Sequence, residues 1–382
     1  MSEYQTIIAV DTLGGDQYVV GLDGKRREQP VVERAVKGAV KALNEQKNSE
    51  LVLIGHEDDI KRELDELDVK VPVHIEPAET YFDSHNLSCS SLNKLVDGIG
   101  QDFDGGLTIG DTTKIIQHIA GKLHDFAMPN VDQLPLAEFI KVRDAADKVL
   151  YLDIGANMVC RAHHLYQFAQ IARIVLDERE GITDPKIGIL TVGSEVYKGN
   201  KLVRRTMELC EAAGIETINV SRAEPRDAEL SKAHAVVIDG HTGNLILKAI
   251  EAKAETILGY TKHFISDTVK DIVLDYQIAV EQGKIKPQPE MGAIMKKVEN
   301  IPRNVISRLI KLFAFEGYGA ATLHGLRSRA QYRSAILKKG HGVSDANAFC
   351  SAVASCRAEA SSGLTERMQD YFTNEYTLPK KK

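Results

Sequence analysis

"IGILTVGSEVYKGNKLV", residues 187–203, is the stretch on which the fold turns. Ile187 to Val192 is an apolar, β-branched run without polar alternation, the pattern of a strand covered on both faces. From Lys201 the chain becomes helix-prone. A strand therefore ends at Gly193 and a helix begins near Asn200. The turn between them holds Glu195, Lys198 and two glycines, a combination that a plain connection does not need. A turn that binds an anion uses all of it: glycine lets backbone N–H groups approach, and a helix N-terminus favours negative charge.

Working outward, the same kind of run recurs at 6–10, 51–54, 71–75, 106–109, 149–154, 215–220 and 235–238. Helical segments separate most of them, among them Val31 to Glu45 and Leu202 to Ala213, the latter closing at Gly214 in an expected left-handed cap. Strand and helix alternating in this way predict an open α/β sandwich around a mostly parallel sheet. In such sheets the carboxyl ends of the strands line the ligand crevice. Five of these ends carry Gly, Asp, Asn or Thr: Asp11 with Gly14, Gly15 and Asp16; Gly110, Asp111 and Thr112; Asp153 and Asn157; Glu195, Lys198 and Asn200; and Asp239, Thr242, Gly243 and Asn244. The expectation is one crevice on which all five converge. The same residues are also ordinary turn formers.

The chain has 382 residues, with 43% hydrophobic and 27% charged content and a formal net charge of −6. That charge sets up no basic field to attract nucleic acid. No uncharged apolar run reaches the length of a membrane span, and the N-terminus lacks a signal peptide's plan. Five scattered cysteines without a CxxC fit a reducing cytoplasm. His85 and Cys89 are four apart but lack a second pair to complete a zinc site. His163 and His164 read as surface or packing residues. GxGxxG and P-loop patterns are absent, which argues against a dinucleotide cofactor.

Beyond Asn244 the pattern changes. Ile257, Tyr260, Phe264, Ile272, Tyr276 and Ala279 fall at helical spacing. A polar break at 281–289 follows, and the spacing resumes from Ile294 to Leu312. A long amphipathic helix pair is expected, packing on the sheet, on a second copy, or on a membrane surface. The expected organisation is one domain over 1–350, with 251–314 as a helix-pair insertion and 351–382 as a C-terminal extension that frays from Ser361.

Taken together the loops resemble the phosphate acyltransferases of the PlsX family. "AVDTLGGD" (9–16) is similar to that family's opening AVDxMGGD. "LDIGANMVCRAHHLYQFAQIA" (152–172), "GILTVGSEVYKGNKLV" (188–203) and "VVIDGHTGNLILKAIE" (236–251) resemble its LDxGANxDC, GxExxKGNxLV and DGFTGN segments. "EGYGAATLHGL" (316–326) and "KKGHGVSDANAF" (338–349) echo its closing motifs. The resemblance implies a Rossmann-like α/β/α sandwich of the isocitrate/isopropylmalate dehydrogenase type, usually a homodimer. It implies transfer of a fatty acyl group from acyl carrier protein to inorganic phosphate, without metal or organic cofactor. It also implies peripheral membrane contact through the long helices. Lys198 would neutralise phosphate or the oxyanion and Asn244 would donate an amide N–H, with a helix N-cap as the alternative role for Asn244.

Three departures from the family pattern stand out. The family's SAGNTGA reads "TIGDTTK" (108–114), which places a carboxylate, Asp111, where a phosphate is expected. "SHNLSCSSLNKL" (84–95) lacks most of the usual basic charge. "GLDGKRREQP" (21–30) is an added stretch whose Lys25, Arg26 and Arg27 either replace that charge or form a solvated loop. Besides the active acyltransferase, two readings stay open: a paralogue that binds carrier protein or acyl ligand without turnover, and an acyltransfer enzyme that uses Cys350 or Cys356.

Overall fold

The structure is a computed structural model that describes residues 5–15, 18–20, 26–79, 90–141, 148–191, 199–220, 233–284, 286, 320–340 and 344–379. In it β1 (Thr6–Asp11), β4 (Ser49–Gly55), β5 (Val73–Pro77) and β6 (Gly105–Thr108) form one parallel run. A second run is built from β8 (Lys148–Leu152), β9 (Ile187–Leu190), β10 (Thr217–Val220) and β11 (Ala235–Val237). Between the two lie β7 (Leu136–Lys141), β12 (Ala321–Leu323) and β13 (Ile336–Lys339). The resulting single sheet has the order β10-β9-β11-β8-β7-β12-β13-β6-β1-β4-β5. A separate hairpin pairs β2 (Tyr18–Val20) with β3 (Arg26–Glu28), so the added stretch supplies the second strand of that hairpin.

The β-branched, apolar runs make these strands because both faces are covered. On β6, a Cβ at Gly105 would touch Cys356 of α9 (Ala346–Ala360), and one at Gly106 would touch Leu95 of α3 (Ser90–Gly98). Successive side chains point to opposite faces, so α3 and α9 lie on opposite sides and the three-layer sandwich holds. Helix α1 (Val31–Leu43) packs on α9, where Gly38 leaves a space that a Cβ would fill against Phe349 at 2.4 Å. On the other half, α6 (Ala162–Glu180) covers β8 and β11, while α7 (Lys201–Ala212) covers β9 and β10.

Three findings correct the sequence expectations. First, β7, β12 and β13 were not foreseen, and they reverse the sheet. β7 runs antiparallel to β8, β12 antiparallel to β7, and β13 antiparallel to β12 but parallel to β6. The two parallel runs therefore point in opposite directions. Second, the boundary expected at residue 350 falls inside α9. Helix α10 (Leu364–Asp370) and a π-helical turn at Tyr371–Glu375 follow, and Leu364, Met368 and Phe372 are buried in the core. The segment after residue 350 thus contributes buried side chains to the core rather than fraying from Ser361. Third, helix α8 is continuous from Gly240 to Glu281, so the helix expected from residue 251 begins at the end of β11. The second helix of the expected pair lies outside the described residues. No helix among the described residues is long and apolar enough to cross a membrane.

The junction of the two runs carries a buried ionic cluster. Lys338 Nζ of β13 is 2.7 Å from Glu359 Oε1 of α9 and 2.8 Å from Thr322 Oγ1 of β12. Arg179, from the end of α6, reaches the same Glu359 oxygen at 2.5 Å. These cations hold the Glu359 carboxyl down at about 2 despite its burial. The cluster joins residues from both halves of the sandwich.

Candidate active site

Because the two runs are antiparallel, the five glycine- and acid-rich loops do not converge on one crevice. They form two groups at opposite ends of the strands, separated laterally by at least four strand spacings of about 4.8 Å. Asp11, Gly14, Gly15, Gly110, Asp111 and Thr112 sit at the carboxyl ends of β1 and β6. Asp153, Asn157, Asn200, Asp239, Thr242, Gly243 and Asn244 sit at the carboxyl ends of β8, β9 and β11. Asp16, Glu195 and Lys198 lie outside the described residues. The single crevice expected from all five loops is therefore not made within one chain.

In the first group the polar side chains hold the loop itself. Asp11 Oδ1 accepts from Leu13 N and Gly14 N, and its Oδ2 accepts from Thr108 Oγ1 at 2.8 Å. Gly14 has no room for a side chain: a Cβ there would lie 2.7 Å from Asp11 Oδ2 and 2.9 Å from Gly110 N. Asp111 caps α4 (Thr112–Ala120), accepting from Thr113 N at 2.7 Å. The carboxylate expected to repel phosphate is thus turned back onto its own helix. Asn, the family's residue here, caps equally well.

The second group is built on adjacent strands. The loop after β8 wraps around Asp153, which is fully buried. Its Oδ1 accepts from Gly155 N and Ala156 N, and its Oδ2 from Asn157 N and Asn157 Nδ2. Burial pushes this carboxyl up, and those four donors pull it back. The loop then locks onto the start of α8. Gly240 N donates to Asn157 O at 2.8 Å, and a Cβ at Gly243 would lie 1.9 Å from Asp153 O. Glycine is obligatory at 243 for that approach. Asp239 caps α8, accepting from Thr242 N at 2.9 Å and Thr242 Oγ1 at 2.8 Å, while Asn200 caps α7, accepting from Val203 N at 2.9 Å. Two helix N-termini therefore open at the ends of neighbouring strands, and their dipoles favour an anion there.

Asn244 is not the cap of α8, which settles its alternative role. It stands exposed in the second turn, and a Cβ at Gly155 would lie 3.6 Å from its Oδ1. Its carboxamide makes no side-chain hydrogen bond among the described residues, whereas Asp153, Asn157, Asn200, Asp239 and Thr242 are all spent on the scaffold. His241 stands exposed three residues before Asn244, on the same side of the helix. The sequence reading passed over it, because a lone histidine inside a glycine turn has no spacing signal.

Cys350 and Cys356, the two cysteines considered as acyl carriers, lie on α9, away from the second group. Cys356 is buried with its thiol pushed up to about 12, and Cys350 lies on α9, which packs on α1. Cys160 is close to the second group, where burial and then Asp153 and Asp239 push its thiol up to about 12. Neither Cys356 nor Cys160 is a ready thiolate nucleophile. Asp132, His163 and His164 cluster at the start of α6, but His164 Nδ1 already accepts from Arg161 N at 3.0 Å. A groove of about 1070 Å³ beside α3, lined by Asp97, Lys122, Arg327 and Arg329 among others, contains none of the expected site residues.

Comparison with known proteins identifies the family. The family described as "Fatty acid synthesis protein" matches residues 6–367. The phosphate acyltransferase of Clostridium tetani is 29% identical, covering 97% of this chain and 99% of its own. That of Staphylococcus epidermidis is 26% identical over 95% and 98%. A solved phosphotransacetylase from Streptococcus pyogenes superposes with a TM-score of 0.50 at 13% identity, covering 93% of this chain and 94% of that one. That likeness is one of fold. The chain belongs to the fatty acid synthesis protein family.

Proposed function

We propose that the protein, an acyltransferase by its family, transfers a fatty acyl group from acyl carrier protein to inorganic phosphate, giving acyl phosphate for phospholipid synthesis. One observation carries the choice of site. The carboxyl ends of β8, β11 and β9, adjacent in the sheet, bring together two helix N-termini and the uncommitted amide of Asn244. A phosphate oxygen attacks the thioester carbonyl carbon, the C–S bond breaks, and the departing thiolate takes the proton that the phosphate carried. Phosphate at neutral pH is nucleophilic enough to need no covalent enzyme intermediate. What the protein supplies is orientation and charge stabilisation.

In this reading the N-termini of α7 and α8 and Lys198 hold the phosphate, and Asn244 Nδ2 donates to the developing oxyanion. Lys198 takes its place by sequence, two residues before the Asn200 cap. Glu195 and the β1 and β6 loops, with Asp16, serve the carrier or a second copy of the chain. A homodimer, cytoplasmic residence and peripheral membrane contact through α8 belong to the same reading. Palmitoyl carrier protein with inorganic phosphate, trapped with hydroxylamine, tests the reaction. Phosphate-dependent hydroxamate that saturates with phosphate supports it. Carrier binding without product would replace it with the non-catalytic binding protein.

A further inference from the structure

The reaction moves a proton from the hydroxyl of hydrogen phosphate to the departing sulfur. Most polar groups described at the second group cannot carry it. Asp153 is fully buried behind four donors, and Asp239 is spent on the N–H and hydroxyl of Thr242. Cys160 donates to Gln133 Oε1 at 3.3 Å, and its thiol is pushed up to about 12. His241 differs from all of them. It stands exposed in the first turn of α8, and its imidazole has no hydrogen-bond or ion-pair partner among the described residues. Gly240 and Gly243 press that turn against the β8 loop: a Cβ at Gly240 would lie 2.7 Å from Asn157 N, and one at Gly243 would lie 1.9 Å from Asp153 O. An α-helix advances about 100° per residue. His241 and Asn244 therefore follow the two glycines by the same angle and share the flank beside the loop. Side chains three apart on a helix stand about 5–6 Å from Cβ to Cβ.

We propose that His241 is a catalytic residue that relays the proton from phosphate to the leaving sulfur. The inference rests on the acyltransferase reading and adds a working group to its site. In a thioester the carbonyl oxygen and the sulfur are bonded to one carbon. A substrate whose oxygen takes the Asn244 amide therefore brings its sulfur to the same flank, beside the imidazole. The phosphate, held at the start of α8, lies by the same turn. As a phosphate oxygen bonds to the carbon and the C–S bond breaks, the imidazole takes the proton of the phosphate hydroxyl and gives it to the sulfur. The products are acyl phosphate and free thiol, and the imidazole ends as it began. Histidine suits the task because it gives and takes a proton near neutral pH. The family's DGFTGN has phenylalanine at this position, so the relay belongs to this chain. With phenylalanine there, the proton passes through solvent.

The test compares the full chain with His241→Phe and His241→Ala on two thioesters at saturating phosphate. Decanoyl pantetheine has an alkyl thiol that needs a proton on leaving. Decanoyl thionitrobenzoate has an aryl thiolate that leaves without one. Phosphate-dependent thiol release is the readout, and an unchanged melting temperature verifies folding at this exposed position. The expected result is a loss of about 10²-fold in kcat on the pantetheine thioester in both variants, against less than about threefold on the aryl thioester. Added imidazole should restore part of the His241→Ala rate on the pantetheine thioester, and none of the His241→Phe rate, because that ring fills the place. An unchanged kcat on the pantetheine thioester overturns the relay and leaves the transferase standing. An equal loss on both thioesters also overturns it and makes His241 a binding residue. If the unaltered chain releases no thiol in response to phosphate from either thioester, the acyltransferase reading falls and the relay falls with it.

Discussion

At the scale of the residue, most polar groups that looked like ligand contacts turn out to build loops. Asp11, Asp153 and Asp239 are all spent on backbone N–H groups or neighbouring hydroxyls. Their residue types were legible because such turns need short carboxylates, but a scaffold acceptor and a ligand contact share that type. Only the hydrogen-bond partners separate them, and those depend on three-dimensional neighbours. Asp111 illustrates the difference. As a cap it is replaceable by Asn: Asp111→Asn should change stability by only a few tenths of a kcal/mol, while Asp111→Ala should lose about 1 kcal/mol. Urea denaturation measures both, and equal losses would remove the capping role. Gly243 is the stricter position. A Cβ 1.9 Å from Asp153 O cannot be accommodated, so Gly243→Ala must push α8 away from the β8 loop. Turnover should fall by more than tenfold, with a lower melting temperature. A Gly243→Ala enzyme with normal kinetics would show that the junction does not position the site.

At the scale of the element, α8 and the C-terminal helices differ in what their sequences disclose. Helical spacing made the outer part of α8 visible, but its first turn was hidden by glycine and threonine in "DGHTGN", which read as a loop. The C-terminal segment was misjudged because its polar ending outweighed Leu364, Met368 and Phe372, which are short of a full amphipathic pattern. Phe372 is completely buried, and Asn130 Nδ2 donates to its carbonyl at 2.8 Å. Truncation after Ser362 would strip those three side chains from the core, each worth about 2–3 kcal/mol. The truncated chain should be insoluble or melt far below the full one in a thermal scan. An undiminished melting temperature would return the segment to the status of an extension.

At the scale of the whole molecule, the layers were legible and the directions were not. Near-continuous apolar runs announce strands buried on both faces, yet periodicity says nothing about which way a strand runs relative to its neighbour. The three strands that reverse the sheet are the least visible ones. β7 is interrupted by Glu138, and β12 is only three residues long. The buried cluster of Lys338, Glu359 and Arg179 sits where the reversal occurs. Lys338→Met leaves Glu359 with one cation fewer in a dry site, at an expected cost of about 3 kcal/mol in urea denaturation. His324 is buried beside this cluster. Burial, the leading cause, holds its imidazole down to about 4, against 6.5 in an unfolded chain. Between those values the unfolded chain binds the proton and the folded one does not. Stability is therefore full above about pH 6.5 and falls as the pH drops toward 4, by on the order of 3 kcal/mol in all. Glu359 acts lower, its contribution being lost only as the pH falls below about 4.5 toward 2. His324→Gln should flatten the first decline, and a slope that persists unchanged would assign it to other groups.

The central claim at every scale is that chemistry occurs at the carboxyl ends of β8, β9 and β11, with Asn244 aimed at the reacting carbonyl. The most direct measurement is the rate of hydroxylamine-trapped acyl phosphate formation by Asn244→Ala beside the unaltered chain. The exposed carboxamide makes no hydrogen bond to the described scaffold, so the substitution should leave the fold intact. The account predicts a loss of about 10²–10³ in kcat at unchanged melting temperature, the size expected for one oxyanion donor. An Asn244→Ala enzyme that forms acyl phosphate at the full rate would contradict it and move the search to the opposite end of the sheet, at Asp11, Gly110 and Asp111.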